Sequence, residues 1–278
     1  MTEILLNTLS QTLIIFLSIA IVGLLIYCVN KIFFKVIKHR GSYIVTGIIG
    51  TPLHELSHAI MCIIFGHKIT NIKLFQMPDE DGVMGYVENN YNPKNIYQLM
   101  GNFFIGVAPI ICGASIIYLL IMLLLPNAYD EINQYLNDYV LIRTKDNSIS
   151  FFAYEMKVLF ELFKIVLFEI KTGFLWFIFV IIALCISQHM QLSPADILGA
   201  LKGLPFFAII ILLLNVIFGI FPSNIYDSYL TIMIKIESVL VFLLLISLLF
   251  IVILLILTIL IKLGIISVKQ IRKLIVKY

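Results

Sequence analysis

Six stretches of this chain run apolar for about twenty residues each, at 9–29, 43–66, 97–125, 172–189, 205–221 and 236–261. A helix rises about 1.5 Å per residue, so stretches of this length match a hydrocarbon core of about 30 Å. Composition agrees. Hydrophobic residues make up 61% of the chain and charged ones 13%, against roughly 45–50% and about 25% in a soluble domain. There is too little polar surface to cover a water-soluble fold. The expectation is an all-α polytopic protein with about six transmembrane helices, spanning a lipid bilayer. A net charge of +3 gives no basic stripe for nucleic acid. The first apolar run has neither a basic flank before it nor a small-residue cleavage site, which predicts a retained span.

The segments between the spans are short and distinct. Residues 68–77 alternate, 78–82 read Pro-Asp-Glu-Asp-Gly, and 83–91 lean toward strand, so a small β-hairpin is predicted over 68–91. Residues 127–150 read as a soluble, mixed-charge stretch. Residues 151–169 are apolar but carry Glu155, Lys157, Glu161, Lys164 and Glu169, as an amphipathic helix at the membrane interface does. Residues 190–204 read as a short Gly/Pro-punctuated connection. Cys28, Cys62, Cys112 and Cys185 each lie in an apolar run, without a Cys-x-x-Cys pair, and are expected to be buried small hydrophobes. Basic residues at 31–40 and 262–277 both ask for the cytoplasmic face. Five predicted spans separate them, an odd number. Either a further span at 151–169 or a partly re-entrant unit at 189–221 restores the parity.

One motif carries chemistry: His54-Glu55-Leu56-Ser57-His58. The i, i+4 spacing puts both imidazoles on one helix face, one turn apart, where both reach a single Zn²⁺. Glu55 projects beside them, placed to take a proton from water at the metal. A metal-free, hydrogen-bonded cluster is the bland alternative. Burying three ionisable groups mid-span is expensive without a cation to compensate the carboxylate. A catalytic zinc site takes a third protein ligand and keeps one open position. The remaining candidates are His39 in the basic stretch, His67 nine residues past His58, His189 and Asp196, of which Asp196 is the first choice and His189 the alternative. Ser193-Pro194-Ala195-Asp196 also reads as a capped helix start, with Asp196 as the box partner. The cap and ligand roles are compatible, because a helix beginning at Ser193 would hold Asp196 rigidly.

The order of these parts resembles the site-2 protease family of intramembrane zinc metalloproteases. In that family an HExxH lies in the first core span, a β-hairpin follows, the second core span carries Gly, Asn and Pro, and the third bears an aspartate ligand. Here the matching parts are residues 54–58, the hairpin at 68–91, Gly101, Asn102 and Pro109, and Asp196. The family's Leu-Asp-Gly is Ala195-Asp196-Ile197 in this chain, with Gly199 three residues on, and the usual PDZ insertion is missing. The resemblance implies a zinc-dependent endopeptidase that cleaves a membrane protein or membrane-bound peptide in or near a transmembrane segment. Zn²⁺ would be held by His54, His58 and Asp196, with Glu55 as the base. A helical substrate must be unwound before attack. The hairpin edge at Gly85, Tyr86 and Val87 could hold the unwound strand by β-addition, and Asn102 could hydrogen-bond its backbone.

On this reading residues 1–42 are an anchor and basic loop, 43–203 a metalloprotease-like membrane core, and 204–278 C-terminal spans with a basic tail. The expected location is a bacterial plasma membrane. The rival is a non-proteolytic transporter or regulatory scaffold with a structural or vestigial metal site. An intact Glu55 between the histidines speaks against it.

Overall fold

The computed structural model describes residues 2–37, 40–80, 82–145 and 151–275. Among these the helices are α1 (Thr2–Ile37), α2 (Arg40–Ile64), α3 (Ile96–Leu124), α4 (Pro126–Lys145), α5 (Phe151–Phe168), α6 (Phe174–His189), α7 (Pro194–Gly219) and α8 (Ser223–Ile275). Strands β1 (Lys68–Lys73) and β2 (Tyr86–Asn90) pair antiparallel between α2 and α3, with an irregularity between Ile69 and Asn71. A single 3₁₀ turn, Glu169–Thr172, joins α5 to α6. The chain is an all-α polytopic membrane protein with one β-hairpin. Helices α1, α2, α3, α7 and α8 are long and apolar enough to cross a membrane.

Helix α3 is the central post. Ile110, Ala114, Ile117 and Ile121 on it are fully buried. Its most extensive partner is α7, and α2 packs on it too. Gly203 lies against the backbone of Phe103, and Gly106 against Ala200, so α7 runs antiparallel to α3. His58 bonds to Ile105 while Phe65 meets Gly101, so α2 is antiparallel to α3 as well. Pro52, Pro109 and Pro205 stand inside helices without ending them. Without competing water, the backbone keeps the bonds that remain.

Three expectations need correction. Residues 190–204 are not a loop, because α7 already begins at Pro194 and continues through Pro205. Residues 126–145 are not simply a soluble stretch. They form α4, whose Ala128, Ile132 and Tyr139 join Leu125 in the core beside α8. Mixed charge masked a helical period in those apolar positions. The last span begins earlier than 236, as part of the 53-residue α8. Of the cysteines, Cys62 and Cys185 are buried, whereas Cys112 is half-buried and Cys28 is exposed.

The parity conflict also resolves. Helix α6 has 16 residues, about 24 Å at 1.5 Å per residue, which is short of a full crossing. It ends at His189 against Gly50. After a four-residue link α7 sets off again, and the two helices share little contact. A span broken at depth exposes helix ends to a buried site. Among the five long spans, four follow the basic stretch at 31–40 and precede the basic tail. An even number is what both basic segments on one face require.

Candidate metal centre

Helix α2 presents His54, Glu55 and His58 on successive positions of one turn. Each imidazole is oriented by a backbone carbonyl. His54 Nδ1 lies 2.7 Å from the His189 oxygen, and His58 Nδ1 lies 2.7 Å from the Ile105 oxygen. A carbonyl only accepts, so each ring donates from Nδ1 and leaves Nε2 as a bare lone pair. The two Nε2 atoms are 3.1 Å apart. Two bare nitrogens cannot hydrogen-bond to each other, and a separation this short suits a proton or a metal ion shared between them.

Asp196 completes the group. Its Oδ1 is 3.3 Å from His58 Nε2, and its Oδ2 is 3.9 Å from His54 Nε2. One ligand atom from each of the three residues falls within 4.8 Å of the others. A tetrahedral ion with bonds of about 2.0–2.1 Å has ligand atoms about 3.3 Å apart, close to the two shorter separations. Two neutral imidazoles, one carboxylate and carbonyl-oriented Nδ1–H groups form a donor set that suits a divalent metal such as Zn²⁺.

Asp196 does two jobs at once. The Ser193 backbone N–H donates to Asp196 Oδ2 at 2.7 Å, and the Asp196 N–H donates to Ser193 Oγ at 3.2 Å. This capping box starts α7 and fixes the carboxylate, leaving Oδ1 turned to His58. Close backbone approach brings that turn to the histidines. A Cβ on Gly106 would collide with the Asp196 carbonyl oxygen, so only glycine lets α7 rest there on α3. The residue before it, Ile105, supplies the carbonyl that orients His58.

Glu55 is buried and has no hydrogen bond or ion pair among the described residues. With His54 it lines a cavity of about 230 Å³, walled by Tyr43 and Thr51, by the hairpin segment 82–85, by Gln188 and His189 at the end of α6, and by Gln191 in the link. A Cβ on Gly85 would lie 2.7 Å from Glu55 Cγ. The hairpin therefore closes directly over the motif.

The other sequence candidates fall in different places. The His189 side chain is outside the ligand group: its Nε2 is 3.1 Å from Thr46 Oγ1, its Nδ1 is 3.3 Å from Thr51 Oγ1, and its ring stacks on Tyr43. Its contribution to the centre is its carbonyl. Gly85 lines the cavity, but Tyr86 and Val87 do not; they pair with Lys73 and Ile72. The part of the hairpin at the cavity is thus nearer the turn than expected. Asn102 is 9% exposed on α3, its Nδ2 has no hydrogen-bond partner among the described residues, and it is not among the cavity-lining residues. His67 is far along the chain's path, bound to Asn89 and the Gln98 carbonyl. His39 lies outside the described residues.

Sequence reasoning missed Asn30, in α1. It donates to the Gln188 carbonyl at 2.8 Å and to Gln191 Oε1 at 2.9 Å, tying α1 to the end of α6 and to the link that follows it. The available signal was a carboxamide at the end of an otherwise apolar run. Comparison with protein-family models, curated proteins and solved structures finds no match to this chain.

Proposed function

We propose that this chain is an intramembrane zinc endopeptidase, hydrolysing a peptide bond in or near a transmembrane segment of a membrane protein. The observation that carries the reading is the convergence of two carbonyl-oriented imidazoles and the Asp196 carboxylate beside an uncommitted Glu55. Zn²⁺ bound there supplies Lewis-acid activation of water and of the substrate carbonyl. Glu55 takes the proton as the water oxygen adds to the carbonyl carbon, and passes it to the amine nitrogen as the C–N bond breaks. The capping box holds Asp196 against recoil, and His189 and Ile105 hold the imidazoles through their carbonyls. The polar cavity keeps water available at membrane depth.

Access from the bilayer fits the same reading. An apolar cleft of about 380 Å³ between α1, α3 and α7 shares Gln191 and Leu192 with the polar cavity. The location that follows is a plasma membrane of bacterial type, with the two basic segments facing the cytoplasm.

Two measurements on the purified chain test the reading. Metal analysis should find about one zinc per chain, lost in His58→Ala. Glu55→Gln should keep the zinc while peptide hydrolysis falls about 10²–10⁴-fold. Zinc retained by a wild-type chain that cleaves no membrane peptide favours the scaffold reading. No zinc uptake at all removes both.

A further inference from the structure

Helices α4 and α5 are not among those long and apolar enough to cross a membrane, and they enclose a pocket of their own. Each gives one stripe of side chains to it. Tyr135 and Asp138 stand three apart on α4, and Tyr154, Lys157 and Glu161 follow the helical period on α5. The pocket holds about 280 Å³ and shares no lining residue with the cavity at Glu55.

Its charges are left unspent. Glu161 is taken by Lys164, one turn further along α5. Asp138 and Lys157 line the same pocket from two packed helices, yet neither makes an ion pair among the described residues. The hydroxyls of Tyr135 and Tyr154 likewise make no hydrogen bond there. The Tyr154 ring is steadied from behind. It stacks on Tyr139, with centroids 5.7 Å apart, and Tyr139 in turn donates to Glu155. Burial, and then the nearby Asp138, Glu155 and Tyr135, raises the Tyr154 phenol above its ordinary range. The field at this end of the pocket therefore favours a cation.

The ligand's chemistry follows. One carboxylate and two phenol oxygens offer acceptors, and a primary ammonium has three N–H groups to give. A quaternary ammonium has none. Lys157 leaves a place for an anion on the same molecule, which makes the ligand a zwitterion. Its source is the bilayer, because Leu141, Met156 and Phe160 beside the pocket are exposed and apolar. We propose that the α4–α5 pocket binds an ethanolamine phospholipid, with its ammonium among Asp138, Tyr135 and Tyr154, its phosphate on Lys157 and its chains along Leu141, Met156 and Phe160. This stands apart from the peptidase reading.

The test is native mass spectrometry of the full chain in detergent, titrated with lipids of identical acyl chains. Phosphatidylethanolamine should bind about tenfold or more tightly than phosphatidylcholine, the difference made by charge-assisted hydrogen bonds. Asp138→Asn should bring the two within about twofold. Lys157→Met should weaken both by a similar factor and keep the preference. Asp138 and Lys157 are exposed, so neither change disturbs the core. Glycerophosphoethanolamine, the headgroup without chains, should bind about a hundredfold more weakly than the lipid. Equal binding of the two lipids by the wild-type chain overturns the proposal, as does a preference that survives Asp138→Asn. A soluble headgroup that binds as tightly as the lipid overturns the bilayer as its source. Where a variant does not fold, the lipid series on wild-type protein decides alone.

Discussion

The two halves of this molecule are held together by different means. Around the histidines, α2, α3, α6 and α7 meet backbone to backbone: Gly106 on the Asp196 carbonyl, Gly203 on Phe103, Gly50 on the Cys185 carbonyl. Polar atoms there bond mostly to main chain, as His54, His58 and Asn30 do. Where α4 and α5 meet α8, contact is made by large side chains instead. Tyr139, Phe242, Phe250, Leu125 and Ile132 are fully buried, and the ring of Tyr139 meets that of Phe242. In lipid, apolar surface gains little by burial, so close approach of small residues and satisfied polar groups hold helices together. The first region spends that closeness on placing three ligand atoms. The second fills volume, and tolerates exchange of similar shapes.

The sharpest way to break the contrast is Asp196→Asn. Asparagine keeps much of the capping ability and is a poor zinc ligand. Zinc affinity should fall about a hundredfold or more while the protein stays folded, as equilibrium dialysis against a chelator would read. A fall in stability with unchanged affinity would make Asp196 a cap and nothing else.

A smaller effect separates His189 as carbonyl from His189 as ligand. His189→Phe preserves the ring on Tyr43 and the carbonyl toward His54, while removing both bonds to Thr46 and Thr51. Outer-shell losses run to about 10–100-fold in metal affinity. Here only the support of the supporting group is lost, so the change should stay under about tenfold. A loss as large as that of Asp196→Asn would place the imidazole on the metal.

The smallest effect belongs to the other region. Tyr139 donates to Glu155 at 2.5 Å between α4 and α5. Tyr139→Phe should cost about 1–3 kcal/mol of stability through a weakened buried pair, with zinc affinity unchanged. A drop in affinity would mean that the two regions are coupled.

How much was readable beforehand divides along the same line. His54, Glu55 and His58 were legible because one helical turn relates them, and Asp196 because the cap pattern at Ser193 is local. The direction in which Asp196 Oδ1 points was not legible, since it depends on Gly106 meeting α7 from another helix. The hairpin was predicted at 68–91, and its strands pair there with one shift of register between Ile69 and Asn71. Which of its residues lie over Glu55 was set by packing on α2, which moved the contact from 85–87 to 82–85. Helix α4 was readable in its period, at Leu125, Ala128, Ile132 and Tyr139, and was obscured by its charge.

Sequence alone determined what repeats or closes within a few residues: the long apolar helices, the hairpin, the i, i+4 histidines and the capping box. These follow from hydropathy, backbone periodicity and short-range hydrogen bonds, all of which neighbours in the chain decide. Tertiary structure alone decided the distant pairings: the His189 and Ile105 carbonyls on the imidazoles, Asn30 on the α6–α7 link, Gln188 at the cavity and the break between α6 and α7. Each joins groups on separate elements. Which carbonyl or amide arrives is fixed by how closely the helices can approach, and no local pattern records that distance.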